Sequence, residues 1–330
     1  MRLPLANVHV GMELLEPISS LASGLRLTNE HLRLLHFLKV DEIEVAPVEM
    51  RTFTADELEW INQNVKHYER TYQQWEERIA LNPYEALEFI HSLFQRDVPL
   101  SAIVTYFSTK ALRKNHVIDH AIYRALVART LSKYRGDPHP LQFDYGVASH
   151  IADASYAKIR KWSHMRYFSK MERELFYQHP TVSSRMIESS QILRPRVARL
   201  VAEHHERMDG SGFPNRLTVD SLHPASPLFI VADRFCQLTA PRTFRKALTP
   251  EEAYFYMWRN EAYEEEALTL IATLLGFYHV GRHVVLSSGV SGLIERYTPR
   301  IAQPIVVDSN QQRLDLTRID EIEIISFQSS

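Results

Sequence analysis

The chain has 330 residues, 45% hydrophobic and 24% charged, with a formal net charge of −2. That balance fits a globular protein of one large or two to three smaller domains and gives no ground for a nucleic-acid polymer as partner. The single cysteine, Cys236, excludes an intrachain disulfide framework. The opening MRLPLANVHVGMELL lacks the basic and apolar regions of a signal peptide, and no apolar run nears the ~20 residues of a membrane span, so a cytoplasmic protein without a membrane partner is expected.

Residues 1–50 form the first predicted unit, a small α/β module. VHVGMELL is strand-like, LASGLRL resembles a hairpin remnant, and Thr28 or Asn29 caps a short helix, EHLRLLHFL. DEIEVAP alternates as a strand and stops at Pro47. A helical connector is expected over 51–99, and its long helix, 55–80, has Asp56 as a plausible cap. Leu58, Ile61, Val65, Tyr68, Tyr72, Trp75 and Ile79 follow a strict heptad spacing. One buried face within the chain accounts for that spacing. A homodimer contact through 58–79 is the sharper alternative. Asn82-Pro83 breaks this helix, and the next begins near Tyr84.

From there to 278 the periodicity is helical, as in ALEFIHSLF, AIYRALVARTL and SPLFIVADRFCQL, with Pro and Gly between segments. The all-α core is placed at 100–278. Beyond Gly276 short β-rich runs (HVVLSSG, GLIERYT, QPIVVDS, EIEIISF) predict a β-module over 279–330. The fold class is therefore mainly α: an all-helical core flanked by a small N-terminal α/β module and a small C-terminal β-module.

The chemistry lies in the helical part. There are 16 histidines, and 9 fall between His116 and His223. His116 and His120 share a helix face. His150 has Asp153 three residues later, His179 precedes Pro180 at an expected helix end, and His204 and His205 close PRVARLVAEHH. Asp233 sits inside the apolar FIVADRF, where an acid is costly unless it meets a cation or metal. Each histidine alone is more often a satisfied core residue than a ligand; the ordered set raises the odds of a metal site.

These residues carry a resemblance. HHERMDGSGFP, residues 204–214, is similar to the HHExxDGxGYP signature of HD-GYP domains, a branch of the HD metal-dependent phosphohydrolases. VADRFCQLTAPRTF and RKALTPEEA stand where later motifs of that family stand, and the likeness covers about 100–260. It implies an all-helical HD-type core and a centre of one to three Fe or Mn ions. The implied ligands are His120, His150, His179, His204, His205 and Asp233, with His116 as a further candidate. The implied ligand molecule is cyclic di-GMP, with Asp209, Gly210, Gly212, Phe213, Arg242 and Arg245 contacting it. Such centres ionise a metal-held water and neutralise charge on the in-line phosphodiester transition state.

The departures from the family are local. The His-Asp dyad falls on His150-Ile151, and isoleucine coordinates nothing. Asp153 substitutes only if the helix is irregular there, because two residues turn the chain about 200°. The family's Lys, four after the dyad His, falls on Ala154; the second acid of DxxD is Cys236; and the Tyr of GYP is Phe213. The expected function is thus cyclic di-GMP signalling by nucleotide binding with weak or no hydrolysis. The alternatives are an active metal-dependent phosphodiesterase and a dimeric scaffold with a vestigial site.

Overall fold

The computed structural model describes residues 1–77, 82–110, 116–158, 169–188, 190–242, 245–260, 262–319 and 321–328. Ile79, the last position of the heptad series, lies outside them.

The N-terminal module is a three-stranded antiparallel sheet of β1 (Arg2–Pro4), β2 (Glu13–Leu14) and β3 (Glu42–Ala46) in the order β1-β3-β2, with α1 (Asn29–Phe37) packed beside it. Thr28 caps α1 as expected: its hydroxyl accepts from His31 N, and His31 Nδ1 accepts from Thr28 N. The hairpin remnant is present as Leu27 N bonded to Met12 O and Leu14 N to Leu25 O. Leu14, Leu27, Leu35 and Val45 fill a small core of their own.

The long helix, α2 (Ala55–Glu77), begins one residue before the predicted cap. Thr54 caps it: Glu57 N donates to Thr54 Oγ1, and Thr54 N donates back to Glu57 Oε2. Ile61, Val65, Tyr68, Tyr72 and Trp75 are buried in the main core of this chain, while Leu58 is 38% exposed. The heptad face is therefore closed by the protein's own helices, which corrects the reading of it as a dimer contact. Its neighbours are α3 (Pro83–Leu93), which Asn82 caps and which begins one residue before the expected Tyr84, α5 (His116–Arg135) and the turn after α6 (His139–Ile151).

Beside them α4 (Leu100–Thr109) packs on α5. The core then continues through α7 (Lys170–Glu188), α8 (Pro195–Glu203), α9 (Ser226–Thr239), α10 (Pro250–Trp258) and α11 (Glu265–Leu274). Helix α5 is the axis. It is buried on most sides, so it carries apolar residues all round rather than one stripe. It packs on α6 and α9 most heavily. None of the described helices is long and apolar enough to cross a membrane.

The C-terminal module is one antiparallel sheet of β4 (His283–Leu286), β5 (Ser291–Arg296), β6 (Ile305–Asp308), β7 (Arg313–Asp315) and β8 (Ile324–Phe327). Its order is β7-β6-β5-β4-β8. Val284, Leu286, Ile294 and Val306 point into the main core, and the His9 ring meets Tyr297 edge-on at 5.4 Å, joining the two end modules. The predicted mainly α architecture with a small sheet at each end is the one observed.

Candidate metal centre

Asp153, His179, His204 and His205 each offer one ligand atom, and the four atoms lie within 4.8 Å of one another. Four separate local features bring them there.

Helix α6 stops at Ile151 and is followed by a turn and a 3₁₀ segment, Ala154–Lys158. Asp153 lies in that turn, so its direction is not tied to the helix phase of His150. This is the irregularity that a substitute carboxylate required. His179 lies in mid-helix, because α7 runs on through Pro180 instead of ending there. Proline has no N–H to give the carbonyl four residues back, Phe176. His179 Nδ1–H donates to that carbonyl instead, at 2.7 Å. His204 caps α8, where carbonyls lack helical partners, and its Nδ1–H donates to Val201 O at 2.7 Å. His205 Nδ1 lies 3.2 Å from Asp233 Oδ2.

A carbonyl only accepts, so the nitrogens facing Phe176 and Val201 carry the hydrogens. Burial holds His179 neutral down to about 3 and His204 well below the ordinary imidazole range. Their Nε2 atoms then present bare lone pairs to each other at 3.2 Å. Neither can donate, so the contact is not a hydrogen bond, and a cation held between them would turn this repulsion into two coordination bonds. Neutral imidazoles with the far nitrogen fixed by a carbonyl, plus one carboxylate, are the donor set of a divalent transition metal. The residues present fit such an ion.

Behind the group stands a buried polar layer. Arg124, from α5, has a fully buried side chain. Its Nη2 donates to Asp153 Oδ2 at 2.8 Å and to Ser149 O at 2.9 Å, and its Nη1 donates to Asp233 Oδ1 at 2.5 Å. His120 Nε2 lies 2.9 Å from the same Asp233 oxygen, and Gln237 Nε2 donates to Asp233 Oδ2 at 2.7 Å. Burial works against both carboxylates, but the Arg124 guanidinium holds Asp153 and Asp233 well below the usual carboxylate range.

The group opens into a cavity of about 780 Å³, lined by His116, His120, Asp153, His204, His205, Phe213, Asp233, Arg242 and Arg245 among others. A pocket of that size holds a drug-sized ligand. Phe213 stacks obliquely on His205, with ring centres 4.7 Å apart, beside Tyr177 at 4.9 Å. The Phe213–Pro214 peptide is cis.

The loop below Phe213 explains the glycines and the acids of the signature. A Cβ on Gly212 would lie 2.4 Å from Glu206 Cα, so only glycine lets the two strands of the loop pass. Gly210 has φ +75°, a left-handed conformation that glycine adopts without strain. Glu206 accepts from Asn215 N at 2.6 Å and Leu217 N at 3.0 Å, bracing the loop from beneath.

Three expectations need correction. His150 does not face the group. Its ring is stacked on Phe89 at 4.8 Å and lies between Tyr68 and Trp75, and neither of its ring nitrogens has a hydrogen-bond partner among the described residues. Ile151 does not mark a missing carboxylate, because it is buried in the main core and Asp153 brings a carboxylate to the histidines. Asp209 and Gly210 do not line the cavity; Asp209 is exposed and accepts from Ser211 N, shaping the turn. Arg245 does line it, but donates to Leu238 O, Lys246 O and Gln237 O, where it caps the C-terminal end of α9. His116, His120 and Asp233 line the cavity outside the four-residue group.

Sequence reasoning missed Arg124 and Tyr156. Arg124 is the lone charge inside the apolar run AIYRALVA, one turn after His120, and that isolation was the available signal. The Tyr156 hydroxyl lies 3.0 Å from His179 Nδ1.

Residues 109–266 match the HD domain family. The cyclic di-GMP phosphodiesterase PA4108 of Pseudomonas aeruginosa is 28% identical over 167 residues, covering 47% of this chain and 40% of that protein. The cyclic di-GMP phosphodiesterase response regulator RpfG of Xanthomonas campestris pv. campestris is 32% identical over 88 residues, 26% of this chain and 23% of that protein. The chain thus spans less than half the length of these relatives. The solved structure of Bd1817, an HDG"Y"P protein from Bdellovibrio bacteriovorus, superposes with a TM-score of 0.50 at 12% identity, over 84% of this chain and 99% of its own. That likeness speaks for the fold.

Residues 109–266 carry an HD domain, and the HHERMDGSGFP signature within them is similar to that of its HD-GYP branch. HD domains are metal-dependent, and the Asp153 group is this chain's candidate for that metal.

Proposed function

We propose that this chain binds a cyclic dinucleotide of the cyclic di-GMP class over a metal held by Asp153, His179, His204 and His205, and hydrolyses it weakly. The observation that supports this reading is the group itself: four ligand atoms within 4.8 Å, at the wall of a 780 Å³ cavity that also carries an aromatic ring and an arginine. The relatives named for cyclic di-GMP hydrolysis supply the substrate class.

If Asp153 is the acid of the family's dyad, the frame moves by two residues. Ala152 then stands where the dyad histidine stands, and Tyr156 where the lysine does. The weakness comes from those two losses rather than from Ile151. Iron or manganese suits the histidine and carboxylate donors. A bound metal supplies a water ionised near neutral pH and neutralises charge on the phosphodiester. The chain's own residues do the rest. Phe213 offers a face on which a base stacks. Arg242 lines the cavity with a guanidinium suited to a phosphate oxygen. The carbonyls of Phe176 and Val201 hold the imidazoles in the metal-binding tautomer.

A second reading, full phosphodiesterase activity, is favoured by the presence of the Asp153 carboxylate in the group. Titration calorimetry with cyclic di-GMP, with Mn²⁺ and after chelation, tests binding; chromatography for the linear dinucleotide tests hydrolysis. Metal-dependent binding with turnover orders of magnitude below ~10 s⁻¹ is expected. No binding in either state refutes the proposal, and turnover at ordinary enzyme rates selects the second reading. The connector helices of 51–99 share the main core with those of 100–278, so we propose them as one folding unit between the modules at 1–50 and 279–330.

A further inference from the structure

We infer that the Arg124 guanidinium is a built-in cation that takes the place of a second metal, so that this site holds one ion per chain. The inference rests on the metal-binding reading of the Asp153 group given above.

The two buried acids are divided in the same way. Asp153 turns Oδ2 to Arg124 at 2.8 Å and Oδ1 toward His179 Nε2 at 3.6 Å. Asp233 turns Oδ1 to Arg124 at 2.5 Å and Oδ2 toward His205 Nδ1 at 3.2 Å. One oxygen of each faces His179 or His205; the other meets the guanidinium, alone in Asp153 and together with His120 in Asp233. His120, the remaining imidazole, has Nε2 at 2.9 Å from Asp233 Oδ1 and 3.5 Å from Arg124 Nη1. A second divalent ion would need these same donors: Asp153 Oδ2, Asp233 Oδ1 and His120 Nε2. They already surround a positive charge that keeps its proton and whose side chain is wholly buried.

Charge points the same way: Arg124 and Arg242 already stand beside the two carboxylates of this layer. A second ion would have to stand in contact distance of a fixed, buried cation, where like charges repel most strongly. Arg124 is thus a positioning residue: it fixes both carboxylates and reserves half of the polar layer for itself. Its side chain is excluded from solvent, so it offers the substrate no charge in exchange.

The test is metal stoichiometry of the full chain, purified anaerobically and reconstituted with Mn²⁺, read by elemental analysis and by electron paramagnetic resonance. The wild-type chain should hold one Mn²⁺ with an uncoupled six-line spectrum. Arg124→Ala should take up two, with a spin-coupled spectrum, and its thermal midpoint, lowered in chelator, should recover at the second equivalent. Arg124→Lys should stay at one. Two or more ions in the wild-type chain overturn the inference, as does a folded Arg124→Ala that still holds one. If Arg124→Ala does not fold, the wild-type count and spectrum decide alone. A wild-type chain that binds no metal overturns the reading of the Asp153 group itself, a result distinct from an excess of metal.

Discussion

Replacing His150 by leucine separates the core role seen in the structure from the ligand role suggested by its place in the sequence. Leucine is close to histidine in volume. The ring of His150 packs on Tyr68 at 4.2 Å and on Phe89 at 4.8 Å between centres, and each such contact contributes about 0.5–1.5 kcal/mol. Against that, its two nitrogens are buried without partners, at a cost of about 1–3 kcal/mol each. The exchange at pH 7 should therefore be neutral or mildly stabilising.

Acid sharpens the test. Burial, with His67 nearby, lowers the His150 pKa from 6.5 to about 3. A folded value below the unfolded one means that protonation favours the unfolded chain. The stability carried by neutral His150 is whole above pH 6.5 and drains away as pH falls from there toward 3. Between pH 7 and pH 5 the loss comes to ~2 kcal/mol. Urea unfolding of both proteins at the two pH values should show leucine gaining about that much relative to the wild-type chain. Metal content should not change. A folded variant that has lost its metal, or one whose stability tracks the wild-type chain from pH 7 to 5, refutes the placement of His150.

Other perturbations follow from the same geometry. Asp153→Asn should lose the metal and, by leaving the buried Arg124 with one acid instead of two, cost about 3–5 kcal/mol in denaturant unfolding; retained metal at full stoichiometry would count against Asp153 as a ligand. Gly212→Ala places a methyl against the Glu206 backbone, so the loop must open, with about 1–3 kcal/mol lost and weaker nucleotide binding by calorimetry; an unchanged melting midpoint would contradict the close approach. Tyr72→Asp puts a charge where the native side chain is 4% exposed and should unfold the chain, whereas Leu58→Asp should change neither stability nor sedimentation. A dimer that Leu58→Asp dissolves would restore the contact through α2.

Much of the molecule was legible from the chain alone, because its signals are local. Helical period, the Asn82-Pro83 break, the Thr28 cap and the short β-runs after Gly276 each depend on a few neighbouring residues. So does HHERMDGSGFP, whose Gly212 and Glu206 make the loop by contacts within eleven residues of Leu217. His179, His204, His205, His120 and Asp233 were all legible as members of one polar set. Tertiary structure decided the rest. A heptad face looks the same whether its partner is another chain or the next helix, and only packing assigns Tyr72 and Trp75 to this chain's own core. His150 and Asp153 lie three residues apart. Their opposite fates turn on where α6 ends, which is set by what Tyr68, Phe89 and Arg124 bind across 60 residues or more of sequence in one case and 25 to 29 in the other. Arg124 announces itself as a charge in an apolar helix, but a sequence does not say which acids it will meet. That both turn out to be the acids of the metal-binding layer follows from α5 running through the centre of the fold, where a buried cation needs buried carboxylates to answer its charge.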